Sequence, residues 1–174
     1  MKYEPGIAAT AKRIGLISDT HGLLRPEAVC FLEGSDHIIH AGDIGTPDIL
    51  DRLARIAPVT AVRGNNDNGA WAEALAESAI VQWGNVFVYV IHDIEQRDID
   101  PTAVKPGVVI SGHSHRPKIQ RHDDALFVNP GSAGRQRFTL PISLGELVVE
   151  KGTVVARLAR LVKSAEAAVF VRGA

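Results

Sequence analysis

The stretch "IGLISDTHG", residues 14–22, decides the fold. An apolar run of strand length, 14–18, breaks off into an aspartate and a histidine two positions apart, Asp19 and His21. Asp and Gly are common turn formers, so on its own this ending is what many strands show. The same event recurs. Apolar, β-branched-rich runs also lie at 36–40, 58–63, 86–91 and 108–111, and each reads as a strand. They give way at once to Gly42-Asp43, Gly64-Asn65, His92 and Gly112-His113-Ser114-His115.

Helical segments between the early strands suggest βαβ units. One follows Pro26 and stops near Gly34, with Pro at the first helical position and Gly just past the last. Thr46 is placed to cap a second, which Pro47 opens and whose apolar face carries Ile49, Leu50, Leu53 and Ile56. Residues 70–79 favour helix but show no stripe, and 94–106 is broken by Pro101 and Pro106; both are read as loop or short helix. The last third changes character. Residues 118–121 and 126–129 flank a polar His122-Asp123-Asp124 turn, and 142–150 and 153–161 alternate around Lys151-Gly152, so two hairpins are expected. The picture is a βαβ half and a β-rich half in one α/β domain over 13–174, after a loosely ordered lead-in over 1–12.

Composition narrows the function classes. With 174 residues the chain is one domain's worth. Nineteen basic against 20 acidic residues leave no global field to steer it onto nucleic acid or an anionic membrane. No apolar run approaches the roughly 20 residues that span a bilayer, and the N-terminus lacks a signal-length apolar segment. A soluble cytoplasmic protein acting on a small molecule is the default, with homo-oligomerisation left open. The single cysteine, Cys30, suits a reducing compartment and reads as a small core residue.

In open α/β sheets ligands gather at the carboxyl ends of strands. Seven polar side chains would meet on that rim: Asp19, His21, Asp43, Asn65, His92, His113 and His115. Where the chain stays extended, a spacing of two sends both members of Asp19/His21 and of His113/His115 to one side. Four imidazoles, two carboxylates and an amide exceed the needs of one ion and suit first-row metals. Two ions about 3.5–4 Å apart would use all seven if one carboxylate bridges. Asp43 is the candidate bridge.

These residues and their order, "DTH", "GD", "GNND", "IHD" and "GHSH", resemble the calcineurin-like metallophosphoesterase family, whose pattern is D-x-H, GD, GN, H and GH-x-H. The resemblance runs from Ile14 to about Ser132, and "HAGDIG", "VRGNND", "GHSH" and "NPGS" look most like the small bacterial and archaeal phosphodiesterases. It implies a four-layer α-β-β-α sandwich. It also implies two divalent ions, manganese first with Ni, Fe or Zn as alternatives, one held by Asp19, His21, Asp43 and His115 and the other by Asp43, Asn65, His92 and His113. A metal-bridging hydroxide would then attack a small phosphoester in line.

Two departures and one rival follow from the same comparison. Many members carry a histidine after the GN asparagine; here Asn66 stands there, able to donate a hydrogen bond but not a proton near pH 7. Asn66 and Asp43 are thus the expected catalytic residues, and Asn65, Asn66 and Arg116 the expected substrate contacts. Asp93 stands where glycine is frequent, and either orients a ligand histidine or begins a turn. Arg63, Arg135 and Arg137 also flank the motifs or the "NPGS" stretch, either to hold a substrate phosphate or as solvated surface residues, and residues 129–132 read as a tight turn near the site. His37 and His122, with Trp71 and Trp83, are read as structural, and His40 as structural or as a support for a ligand. The same fold also serves as a protein-binding scaffold in a retromer subunit that has lost part of the metal chemistry, and a phosphomonoesterase or nucleotidase would share the whole site. The complete ligand set argues for an enzyme.

Overall fold

The computed structural model describes residues 11–96, 107–137, 139–161 and 169–172. In chain order its elements are β1 (Lys12–Ile17), α1 (Pro26–Leu32), β2 (His37–His40), α2 (Pro47–Ala54), β3 (Val59–Ala61), α3 (Ala70–Glu73), β4 (Ser78–Trp83) and β5 (Val86–Ile91). A 3-10 turn at Ile94–Gln96 follows, then β6 (Gly107–Ile110), β7 (Lys118–His122), β8 (Ala125–Asn129), β9 (Ser143–Glu150), β10 (Thr153–Arg160) and β11 (Val169–Arg172).

Two mixed sheets result. The first has the order β11-β10-β9-β1-β2-β3 and the second β4-β5-β6-β8-β7. In the first, β1, β2 and β3 run parallel, connected through α1 and α2, and β9 closes antiparallel on the other side of β1. In the second, β5, β6 and β8 are parallel, flanked by antiparallel β4 and β7. Parallel neighbours end at the same rim, which sets the strand-end residues of each sheet side by side.

The layers follow from which apolar residues each strand turns inward. Ile14, Leu16 and Ile39 of the first sheet meet Val88, Val90, Val108, Ile110 and Val128 of the second in a core between the sheets. On the outer face of the first sheet, Ile17 and Ile38 pack against Ala28 and Leu32 of α1 and Ile49 and Leu53 of α2. Each such fully buried Ile or Leu contributes roughly 1.5–3 kcal/mol. On the outer face of the second sheet Tyr89, Ile91 and Val109 pack with Phe127 and with Ile94 of the 3-10 turn. The architecture is the four-layer α/β sandwich, with its fourth layer, among the described residues, reduced to that turn.

Several expectations need correction. Cys30 is exposed, because Ala28 and Leu32 define the buried face of α1 and a residue two positions from each points the opposite way on a 3.6-residue helix. Thr46 precedes α2 but makes no side-chain cap. The helix at 70–79 is a single turn, α3, after which the chain enters β4. Both hairpins form as expected, the second through Lys151 and Gly152 at φ 48° and 81°, the backbone a two-residue turn requires. Strand β11 had no counterpart in the sequence reading. The lead-in at 1–10 and the stretch 97–106 lie outside the described residues. Among those described, no helix is long and apolar enough to cross a membrane.

Candidate metal centre

The loops leaving β1 and β2 are zipped together by backbone bonds: Asp19 N–H donates to Gly42 O (3.0 Å), His21 N–H to Asp43 O (2.9 Å) and Gly22 N–H to Ile44 O (2.8 Å). This zipper replaces the extended alternation expected from the spacing of two. Strands β1 and β6 stop at Ile17 and Ile110. Beyond them Asp19, His21, Asp43, His113 and His115 all adopt left-handed backbone, with φ between 45° and 64°. Such a conformation costs an L-residue roughly 1–2 kcal/mol, and five together at one rim mark a site rather than a tolerance.

The side chains converge in two groups. Asp19 Oδ1 lies 3.1 Å from His115 Nε2 and 4.0 Å from His21 Nε2, and the His21 and His115 Nε2 atoms are 3.3 Å apart. In the second group, Asn65 Oδ1 is 3.0 Å from His92 Nε2 and 2.9 Å from His113 Nδ1. Asp43 stands between them, with Oδ1 3.5 Å from His92 Nε2 and Oδ2 3.8 Å from His21 Nε2. Its two oxygens face imidazoles of different groups. His113 and His115, expected to act as one clamp, part company: His115 joins the first group and His113 the second.

Cations fit this donor set. Asp19 is fully buried and its Oδ1 has no hydrogen-bond partner, although His115 Nε2 is so near. An unsatisfied buried carboxylate oxygen beside converging ring nitrogens is costly by itself. A positive ion removes that cost. The sets Asp19/His21/His115 and Asp19/Asp43/His92 each bring one ligand atom per residue within 4.8 Å of the others. Burial, reinforced by the charges of Arg137 and His115, pushes the His21 pKa down against the pull of Asp43 and Asp19, keeping the ring in the neutral form that ligates. Burial opposes the charge of Asp43, but His92 and two N–H donors from Asn66 outweigh it and hold this carboxyl well below the usual range. For His92, burial is overcome by Asp43 and by the Ala41 carbonyl, and the pKa rises.

Other residues hold the ligands in place, and most were silent in the sequence. His92 Nδ1 sits 2.7 Å from Ala41 O, which directs Nε2 into the cluster. Asp67, nearly fully buried, accepts Gly45 N–H and Gly64 N–H (both 2.8 Å) and so ties the loop after β2 to the loop after β3. Thr20, between two ligands, donates to Ile44 O (2.9 Å), so its Oγ1 accepts from His40 Nε2 at 2.9 Å. The tight turn at 129–132 does more than turn. Asn129 Nδ2 donates to Gly112 O (2.6 Å), and Ser132 Oγ donates to Asp19 O (2.9 Å). The advance signals were Asp67 inside "GNND", Ser132 inside "NPGS" and His40, read as structural or as a support for a ligand.

The flanking residues sort out differently. Asn66 gives its backbone N–H to Asp43 Oδ1 (2.8 Å) and its amide to Oδ2 (2.6 Å). Asp93 accepts Glu95 N–H (3.0 Å) and the Gln96 amide (2.9 Å), so it begins a turn. Arg63 pairs with Glu77, Arg137 lies close enough for its charge to act on His21, and Arg116 lines a groove on the far side of the 112–116 loop.

A carboxylate–imidazole cluster at the rim of two mixed sheets, with side-chain groups that could hold a metal ion, defines the class: an α/β protein with a candidate metal site. The chain belongs to the calcineurin-like phosphoesterase superfamily, whose domain model matches residues 13–152. It is 37% identical over 140 residues to a protein from Methanothermobacter thermautotrophicus named "Probable metallophosphoesterase", covering 74% of this chain and 81% of that one. It is 29% identical over 158 residues to a phosphodiesterase from Methanocaldococcus jannaschii, covering 80% and 94%. In fold it is similar to the crystal structure of Vps29 from Chaetomium thermophilum, with a TM-score of 0.75, 22% identity and 92% and 94% coverage.

Proposed function

We propose that the chain is a phosphodiesterase working with two divalent ions. Asp19, His21, Asp43 and His115 would hold one, and Asp43, Asn65, His92 and His113 the other. Bound ions of this kind lower the pKa of a water and draw charge from phosphoryl oxygens. The observation that carries the reading is the pairing of the orphaned Asp19 Oδ1 with an Asp43 carboxylate that faces imidazoles of both groups. Mn, Ni, Fe and Zn all accept such ligands, and manganese is the expected ion.

The chain's own groups shape what can be cleaved. Asn65 and Asn66 are exposed at the mouth and can donate amide N–H bonds to phosphoryl oxygens, while Asn66 adds to His92 in lowering the Asp43 pKa. No proton comes from Asn66, so the departing oxygen must leave on its own acidity. That favours diesters with good leaving groups. Arg116 supplies the cation for charge beyond the scissile phosphate.

The test is hydrolysis of bis(p-nitrophenyl) phosphate and p-nitrophenyl phosphate by chelator-stripped protein reloaded with each ion in turn. Metal-dependent cleavage of the diester ahead of the monoester is expected, falling at least about a hundredfold in Asp43→Ala and His115→Ala. A preference for the monoester assigns a phosphomonoesterase instead. Metal-loaded protein that cleaves neither refutes the reading and leaves a binding role for the fold.

A further inference from the structure

On the far side of the 112–116 loop from the imidazole cluster lies a groove of about 390 Å³, within the size range of small-molecule sites. The loop divides the two: His113 and His115 turn to the cluster, Ser114 and Arg116 to the groove. Lys118 and Gln120 of β7 form one wall, Ser111 lies at the end of β6, and Phe127 of β8 lines the groove with them. Strand alternation explains the wall, because Ile119 packs into the core between the sheets and sends its neighbours 118 and 120 outward.

The lining is one-sided in charge. Among the described residues no carboxylate lines the groove, and neither Arg116 nor Lys118 has an acidic partner. Ser111 is nearly buried, and among the described residues its hydroxyl makes no hydrogen bond. Ser114 Oγ accepts from Asn129 Nδ2 (3.1 Å) and Arg116 N–H (3.4 Å), which leaves its own proton to give. Two cations, two hydroxyls and the Gln120 amide thus offer donors around a half-buried aromatic ring. A guanidinium and an ammonium with no carboxylate paired to them among the described residues select an anion; the ring selects a flat apolar body attached to it.

From this we infer that the groove is a binding site for a phosphate monoester carried on a planar ring, the chemistry of a nucleoside monophosphate. The inference shares Arg116 with the hydrolytic reading but does not need the cluster, since none of the groove's donors is one of its ligands. Such a ligand could be the distal part of a substrate whose scissile phosphate lies at the cluster, or a free effector.

Calorimetric titration of the chelator-treated full chain with thymidine 5′-monophosphate tests the site without metal or catalysis. One molecule is expected to bind per chain, with thymidine alone and inorganic phosphate each weaker by about tenfold or more. Lys118→Glu, an exposed change, is expected to weaken binding by about tenfold or more, the scale of one charge-assisted hydrogen bond. Phe127→Leu, checked for an unchanged unfolding midpoint, should weaken it too, and His115→Ala should not. Absence of binding, indifference to Lys118→Glu, or loss with His115→Ala overturns the assignment. In the metal-loaded chain cleaving bis(p-nitrophenyl) phosphate, a nucleotide that raises KM alone marks the distal part of a substrate, and one that changes kcat marks an effector. If no diester is cleaved, the hydrolytic proposal fails while the titration still decides the groove.

Discussion

Gly42 and Gly34 offer a controlled pair of substitutions. Both have left-handed backbone, at φ 88° and 76°. A Cβ at Gly34 meets nothing within 4 Å, whereas at Gly42 it would lie 2.6 Å from His92 Nδ1, 2.8 Å from Cγ and 2.9 Å from Cβ. Alanine at Gly34 therefore costs only the backbone strain, roughly 1–2 kcal/mol, less about 0.4–1 kcal/mol returned by a less flexible unfolded chain. Alanine at Gly42 adds overpacking of about 1–3 kcal/mol. The clash is relieved only if the His92 ring moves, which breaks its bond to Ala41 O and swings Nε2 out of the cluster. Urea unfolding of chelator-treated protein should place Gly42→Ala about 1–3 kcal/mol below Gly34→Ala at equal m-value. Mn2+ titration should show affinity reduced about 10–100-fold for Gly42→Ala alone. Equal stabilities for the two variants, or unaltered Mn2+ binding in Gly42→Ala, would refute the reasoning.

Asp67→Asn should cost about 1–3 kcal/mol in thermal or urea unfolding, because an amide cannot accept both Gly45 and Gly64 N–H bonds as the carboxylate does; metal affinity should fall with it. Burial lowers the His40 pKa from 6.5 to about 4. The unfolded state then binds the proton first, so stability is full above pH 6.5 and is lost progressively down to about pH 4, by at most about 3 kcal/mol. The difference between wild-type and His40→Gln stability curves, measured with chelator, should carry that slope; parallel curves contradict it. Asn66→His should extend cleavage toward esters with poor leaving groups while retaining aryl diesters. Loss on aryl diesters with no gain on alkyl esters would count against the role assigned to Asn66.

How legible all this was depended on whether the deciding force is local. The runs 14–18, 36–40 and 86–91 read correctly as strands because burial between layers demands apolar residues along each strand. Helix α2 read correctly because one face is apolar and Pro47 opens it. Strand β4 did not: it is an edge strand with Ile80 more than half exposed, and the alanine-rich stretch before it favours helix. The seven clustered side chains were visible as a set, but the reason they meet was not. Period-two projection was the expectation, whereas left-handed backbone and cross-loop bonds bring them together. Thr20 and Asp67 escaped because they bond backbone groups on the loop after β2, which no local pattern announces.

Strand β1 sits between β2 and β9, pairing on one side with residues 37–40 and on the other with residues 145–149. During synthesis the loop bearing Asp19 and His21 therefore waits for nearly the whole domain. Its antiparallel neighbour does not exist until residue 149 has left the ribosome, and the hydroxyl that grips Asp19 O belongs to Ser132. The first donors to be translated thus lack two of their partners, β9 and Ser132, until late in synthesis. A nascent chain arrested before β9 should consequently show little defined affinity for cations, however many of the seven side chains it already carries.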